Sequence, residues 1–160
     1  MKKSAIIFLQ IVIVLLGAGV LALILWEPHL EGRNAHATLV QIYFHDPFLA
    51  YAYTASLAFF TALYQALKLL GYVGRNEVFS PASVRALRNI KYSAITLAVF
   101  VVGAEAHSWF FVRGTDDIAG GVAIGLVMFF ISAVVATAAA VLETTLQRAV
   151  ELQAENDMTV

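Results

Sequence analysis

The sequence predicts an all-α fold, a bundle of four transmembrane helices that forms a single domain over residues 1–160. Hydrophobic residues make up 61% of the chain and charged residues 13%, against about 45–50% and about 25% in soluble domains. Four apolar runs reach the roughly 20 residues that a helix needs to cross a bilayer. They lie at about 6–26, 48–67, 92–112 and 118–142. An integral membrane protein follows, because this much apolar surface has to face lipid rather than water.

The first run begins directly after Lys2 and Lys3, as the apolar region of a secretory signal peptide also does. Its apolar stretch continues past the small residues 17–19 as far as Trp26, and so exceeds the roughly 7–15 residues of such a region. We therefore predict an uncleaved first transmembrane helix.

The distribution of lysine and arginine predicts which way the chain crosses the membrane. The amino end, the 68–91 segment and the carboxyl tail together carry eight cations, whereas the 27–46 and 113–117 loops hold one arginine each. The positive-inside rule then places both termini and the 68–91 segment in the cytoplasm. We expect a multi-pass protein of the bacterial cytoplasmic (inner) membrane.

Turn and cap signals mark the segments between the spans. Asp46, followed by a proline, predicts the start of the second helix. Gly71 and Gly74 predict its end. Ser80, again followed by a proline, predicts the next helix start. For the 35–46 segment, a short amphipathic helix on the outer surface and a strand both remain open.

A basic amphipathic helix is predicted between the second and third spans. Its apolar residues recur at helical spacing from Val84 to Ile90. Its cations are Arg85, Arg88 and Lys91. We expect these cations to contact lipid headgroups or a cytoplasmic protein partner. After the fourth span, segment 143–155 predicts a helical carboxyl-terminal extension that either lies against the basic helix or is solvated.

Small residues in the fourth span predict close helix packing. Gly121 and Gly125 are four residues apart, and so are Ala136 and Ala140. Small side chains at this spacing let two helix backbones approach closely in a membrane. The contact lies either within the bundle or between two copies of the chain.

Glu105 and His107 are the candidate protonatable groups inside the membrane. An ionised side chain at the centre of a membrane helix costs about 2.5–3.5 kcal/mol on insertion scales. Glu105 therefore either serves a function, as a protonatable switch or an ion ligand, or is hydrogen-bonded between helices. For the second alternative, the candidate partners are Tyr51, Thr54 and His107.

The outward-facing segments hold a candidate site for an ion or another ligand. Its residues are His29, Glu31, His36, His45 and Asp46. Imidazole and carboxylate groups bind zinc and other divalent ions where three or more of them converge. No histidine here has a second histidine or a glutamate four residues further on, as two ligands on one helix would require. We therefore predict no cofactor and keep a divalent metal as the alternative.

Segments along nearly the whole chain carry a resemblance to a known family. They are EPHLEGR at 27–33, DPF at 46–48, ALYQA at 62–66, KLLGY at 68–72, FS at 79–80, SV at 83–84, ALR at 86–88, VATAAAV at 135–141 and END at 155–157. In these segments the chain resembles the YoaS-like membrane proteins, a bacterial four-helix family catalogued as a domain of unknown function. The resemblance implies the four-helix fold and brings no activity, cofactor or catalytic residue. It also implies a link to regulation, because family members are often encoded beside a small helix-turn-helix regulator.

Catalytic patterns are absent from the sequence, which contains no GxSxG, no HExxH and no phosphate-binding glycine loop. It also contains no cysteine, which excludes disulfides and thiolate metal sites. We predict a non-enzymatic regulatory or accessory protein that contacts the lipid bilayer and a cytoplasmic protein partner, or a second copy of itself, without direct nucleic-acid binding. The alternative is a small ion- or proton-coupled transporter or channel that uses Glu105.

Overall fold

Four long helices make up the protein in a computed structural model that describes residues 3–26, 38, 40, 47–112 and 118–157. We number them α1 (Lys3–Trp26), α2 (Pro47–Gly74), α3 (Pro81–His107) and α4 (Ala119–Asp157), and a π-helix over Ser108–Val112 continues α3. Within the described ranges there is no β-strand. All four helices are long and apolar enough to cross a membrane, which confirms the predicted all-α, four-span fold.

The helices pack in chain order, α1 on α2, α2 on α3 and α3 on α4. At one end of the molecule, Ile6 Cδ1 lies 3.8 Å from the position that a Cβ atom would take on Gly74. At the other end, the Tyr53 hydroxyl donates a hydrogen bond of 3.2 Å to the Ile24 carbonyl oxygen. Helices α1 and α3 begin, and α2 ends, at the first of these two ends. We call it the basic end, because Arg88 and Lys91 lie in the first turns of α3.

The turn after α2 is a Schellman motif centred on Asn76. The helix ends at Gly74 as predicted, but the stop is made by Asn76, whose φ is 59°. The Glu77 N–H donates to the Tyr72 carbonyl at 2.8 Å, and the Asn76 N–H donates to the Val73 carbonyl at 3.2 Å. Asparagine tolerates the left-handed backbone better than other residues that carry a side chain, apart from aspartate.

The start of α3 follows the predicted cap. Ser80 precedes Pro81, and the Ser83 N–H donates to the Ser80 Oγ at 3.3 Å. Ser83 is fully buried, and its own hydroxyl donates to the Glu77 carbonyl at 3.1 Å, which fixes the turn against the helix. From Pro81 the helix runs unbroken to His107, so the predicted basic segment forms the first turns of α3 itself.

The contact between α3 and α4 buries mostly small side chains of α4. Gly125, Ser132, Ala139 and Glu143 are buried at successive spacings of seven, seven and four residues, which is the repeat of one helix face. Ala136 is half-buried between them. With 39 residues, α4 is roughly 57 Å long at about 1.5 Å per residue, against about 30 Å for a bilayer core. The predicted helical extension beyond the fourth span is therefore confirmed.

Candidate functional site

A cavity of about 400 Å³ lies between the helices, away from the basic end. All four helices contribute to its wall. The lining is apolar and aromatic and includes Val20, Ile24, Phe48, Phe59, Phe100, Ile124 and Met128. Glu105 on α3 is the one charged side chain among the described lining residues, so the cavity has a single electrostatic feature.

The Glu105 carboxylate lies against Gly125 on α4. A methyl group on Gly125 would overlap the carboxylate, so only glycine leaves room for it in this arrangement. Glu105 is half-buried, and no described residue donates a hydrogen bond to it or forms an ion pair with it. Gly121 also lines the cavity, but of the small residues predicted for helix packing Gly125 is the one that contacts the carboxylate.

The three hydrogen-bond partners considered for Glu105 are engaged elsewhere. The Tyr51 hydroxyl donates to the Phe100 carbonyl at 2.7 Å, and the Thr54 hydroxyl donates to the Ala50 carbonyl at 2.8 Å. The His107 ring lies 5.2 Å from the Phe111 ring. Within the described part of the chain, the carboxylate is therefore not bonded between helices through any of them.

Tyr51 is held by Phe100 and Gly103. Its ring meets the Phe100 ring edge to face at 5.0 Å, and its hydroxyl lies where a methyl group on Gly103 would be. The sequence pattern did not single out Gly103. The signal available for it was a lone glycine in the interior of the third span, two residues before Glu105.

His107 lines a second cavity of about 540 Å³ at the end of α3. The two cavities share Phe48, Tyr51 and Ala104 and are therefore adjacent. The π-helix begins at the residue after His107, and such turns occur frequently at functional sites. The two candidate protonatable groups thus face different cavities that meet at Tyr51.

At the basic end, Glu143 joins α4 to α3 through two cations. Its Oε1 lies 2.7 Å from the Arg88 Nε, and its Oε2 lies 2.7 Å from the Lys91 Nζ. The Glu143 side chain is 8% exposed, against 46% for Arg88. Glu143 directly follows the apolar run that ends at residue 142. The hydrogen bond from Lys91, together with that from Arg88, lowers the pKa of Glu143.

Two of the three predicted contact cations are thus bound within the chain. The third, Arg85, is exposed and forms no ion pair with a described residue. Glu143 was not predicted as their partner, although it is the first charged residue after the fourth apolar run.

The other residues predicted for functional sites or helix packing are not part of these contacts among the described residues. The candidates in the segments predicted to face outward, His29, Glu31, His36, His45 and Asp46, lie outside the described residues. In the part of the chain that is described, no three His, Cys, Asp or Glu side chains form a group able to hold a metal ion. Ala136 and Ala140 line a groove of about 570 Å³ between α3 and α4.

Four membrane-length helices around an apolar cavity, with one carboxylate among the described lining residues, define a multi-pass membrane protein. The chain belongs to the family described as protein of unknown function DUF2975, whose model matches residues 32–160. It is 40% identical over 161 residues to the uncharacterized membrane protein YoaS of Bacillus subtilis (strain 168), with 100% of each chain covered. No solved structure matches the chain. The resemblance seen in the sequence is confirmed at the level of the family.

Proposed function

We propose that the protein is a non-enzymatic regulatory or accessory protein of the bacterial cytoplasmic membrane that binds a cytoplasmic protein partner. The observation that carries the proposal is the double ion pair of Glu143 with Arg88 and Lys91. It ties the extension of α4 to the first turns of α3. The two helix segments 81–91 and 143–156 thereby form one surface, which we call the platform.

The orientation of the platform follows from its charge. Lysines and arginines concentrate at the basic end, and the positive-inside rule assigns such an end to the cytoplasm. Both termini then lie in the cytoplasm, because α1 begins and α4 ends on that side. The family relative from Bacillus subtilis is also described as a membrane protein, which supports a bacterial membrane location.

The exposed face of the platform has the composition of a protein-binding surface. Arg85 and Arg148 are exposed cations, Glu151 is an exposed anion and Leu152 is an exposed apolar side chain. Protein interfaces combine apolar groups with arginine and a polar rim, whereas nucleic-acid surfaces are strongly basic. A protein is therefore the partner that this mixture favours.

In the proposed regulator, the Glu105 cavity is the sensing site, where a ligand binds. Helices α3 and α4 run without interruption from Glu105 and Gly125 to the platform. The two helices are joined both at the Glu105–Gly125 contact and at the Glu143 ion pairs, so a change in their spacing at the first contact is carried along two rigid helices to the second. A ligand that alters the contact between Glu105 and Gly125 would thus alter the platform and its affinity for the partner.

Co-purification from native membranes tests the proposal. We expect wild-type protein, extracted in a mild detergent, to retain a cytoplasmic protein in native mass spectrometry. The double variant Arg85→Gln with Arg148→Gln should lose that protein, because both changes lie on the exposed face of the platform.

The matched control is Lys68→Gln with Arg75→Gln, which removes two exposed cations outside the platform. It should retain the partner, and so should Glu105→Gln in the absence of a ligand. Equal retention by the platform variant and the control would contradict the proposal, as would wild-type protein without any partner.

A transport function is the second candidate, and the unpaired carboxylate of Glu105 in the cavity favours it. A proton- or ion-coupled transporter would lose flux in proteoliposomes when Glu105 is replaced by glutamine, while the variant remains folded. No second Asp, Glu, Lys, Arg or His lines the cavity among the described residues, and transport pathways usually hold several such groups. The regulatory function is therefore the one we favour.

A further inference from the structure

We infer that the Glu105 cavity is a binding site for an amphiphilic organic cation, a quaternary ammonium or protonated amine that carries an apolar or aromatic group. The inference rests on the proposed function in one respect, since it names the ligand class for the proposed sensing site. Four properties of the cavity lead to it: its size, its lining, its charge and its access.

The size of the cavity fits a small organic molecule. Its volume of about 400 Å³ falls within the roughly 300–1,000 Å³ of typical small-molecule sites. A bare metal ion would need several oxygen, nitrogen or sulfur ligands close together, whereas Glu105 is the one carboxylate among the described lining residues. An inorganic ion would thus leave most of the space empty.

The lining selects for apolar and aromatic surface on the ligand. Three phenylalanines, Phe48, Phe59 and Phe100, stand in the wall together with Tyr51. Aromatic faces attract quaternary ammonium groups, and the attraction grows when water is excluded. Because the Tyr51 hydroxyl already donates to the Phe100 carbonyl, this residue offers the cavity its ring rather than a free donor.

The charge of the cavity selects for a cation. The Glu105 carboxylate is half-buried among apolar groups and has no partner among the described residues. Such a charge is unfavourable until a counter-charge reaches it. An organic cation supplies that counter-charge and at the same time fills apolar space, which a hydrated inorganic cation does not. An anion would find no described cationic side chain in the wall.

Among the described residues, the site continues into a second cavity toward the end of the molecule opposite the basic end. The second cavity, of about 540 Å³, shares Phe48, Tyr51 and Ala104 with the first. It therefore adjoins the site on the side of His107. A ligand arriving from this side would pass Tyr51 before its cationic group reaches Glu105.

Isothermal titration calorimetry on the full chain in zwitterionic lipid nanodiscs tests the inference, with benzyldimethyloctylammonium as the probe and empty nanodiscs as the blank. We expect saturable binding of one cation per chain. Glu105→Gln should weaken it at least about tenfold, because a partner in a buried charge pair is removed. Glu77→Gln, which neutralises an exposed carboxylate outside both the platform and the cavity, is the matched control and should bind as the wild type does.

Two further variants keep the test decisive if Glu105→Gln fails to fold. Glu105→Asp retains the charge and should retain binding within a few-fold, whereas Gly125→Ala places a methyl group where the carboxylate lies and should weaken binding at least about tenfold. Absence of saturable binding to wild-type protein would overturn the inference. So would wild-type affinity in folded Glu105→Gln or in folded Gly125→Ala.

Failure of the inference and failure of the proposed function give different results. Cation binding is measured on purified protein without any partner, and partner retention is measured with the platform variants. A chain that binds the cation but retains no partner supports the inference and refutes the regulatory proposal. A chain that retains its partner but binds no cation refutes the inference alone.

Discussion

Glu105 and Glu143 are both carboxylates on the α3–α4 pair, yet they differ in burial, in bonding partners and in whether they border a cavity. Glu143 is buried and bonded at 2.7 Å to each of two cations, Arg88 and Lys91. Glu105 is half-buried, borders a cavity and has no partner among the described residues. A carboxylate whose bonds are all satisfied holds two helices together. One that lacks a partner, in a space large enough for a ligand, can bind one.

Removing the Glu143 carboxylate should have the largest effect on stability. Glu143→Gln leaves Arg88 and Lys91 close together without a counter-charge, so we expect the apparent Tm in detergent to fall by roughly 5–10 °C. Thermal unfolding followed by circular dichroism measures the change. The matched control is Glu77→Gln, whose partner Arg75 is 59% exposed, and it should shift Tm by less than about 2 °C. Equal shifts would remove the structural role assigned to Glu143.

Adding a methyl group beside Glu105 should have a smaller but distinct effect. Alanine favours a helix over glycine by about 1 kcal/mol, so Gly120→Ala should leave Tm unchanged or raise it, since no described atom lies within 4 Å of its Cβ position. Gly125→Ala should instead lower Tm by a few degrees because the methyl group displaces the carboxylate. If both alanine variants raise Tm alike, the close contact of Glu105 with Gly125 does not exist in the membrane-extracted protein.

The Tyr51–Gly103 contact offers a test of the cavity wall. Gly103→Ala should force the Tyr51 hydroxyl away and weaken its bond to the Phe100 carbonyl. Tyr51→Phe removes that bond alone, at a cost of about 0.5–1.5 kcal/mol. In a double-mutant cycle by thermal unfolding, Tyr51→Phe should relieve much of the Gly103→Ala defect. Strictly additive effects would show that the two residues do not touch.

The smallest expected effect is the pH dependence of Tm, which tests the ion-paired role assigned to Glu143. Bonds from Lys91 and Arg88 lower the pKa of Glu143 from its ordinary value of 4.5. The stability from this pairing is therefore complete above pH 4.5 and is lost as pH falls through the lowered pKa. The Tm difference between wild type and Glu143→Gln should stay constant from about pH 7 to 5 and shrink only at lower pH. A difference that shrinks already between pH 7 and 5 would contradict this direction.

The helices themselves were predictable because their signals are local. Apolar runs of membrane length and a serine followed by proline at 80–81 act on neighbouring residues, and α3 begins at Pro81 as expected. The stop after α2 was harder to predict, since it depends on Asn76 in a left-handed backbone where glycine is the usual residue. The segments at 29–36 and 45–46 lie outside the described residues, so the ligand site predicted there stays a prediction.

The surroundings of Glu105 and Glu143 could not be predicted from the sequence, because they depend on which turns of neighbouring helices face each other. Glu143 meets cations that lie 52 and 55 residues away in the chain, and no local pattern fixes which turn of α3 faces it. For Glu105, the sequence offered Tyr51 as a bonding partner. Helix α2 is rotated so that the hydroxyl meets the Phe100 carbonyl instead. The charge and depth of Glu105 were evident, but its lack of a partner required the packed structure.

We assign ligand binding to Glu105 and helix pairing to Glu143. The most direct test of these two roles is the shift in Tm that benzyldimethyloctylammonium produces in wild type, Glu105→Gln and Glu143→Gln. A ligand at about 100 times its Kd stabilises the folded state by about 2.7 kcal/mol, or roughly 5–10 °C in Tm. We predict that wild type and Glu143→Gln rise equally, the latter from a lower starting Tm, and that Glu105→Gln does not rise. A rise in Glu105→Gln equal to that of wild type would contradict the account.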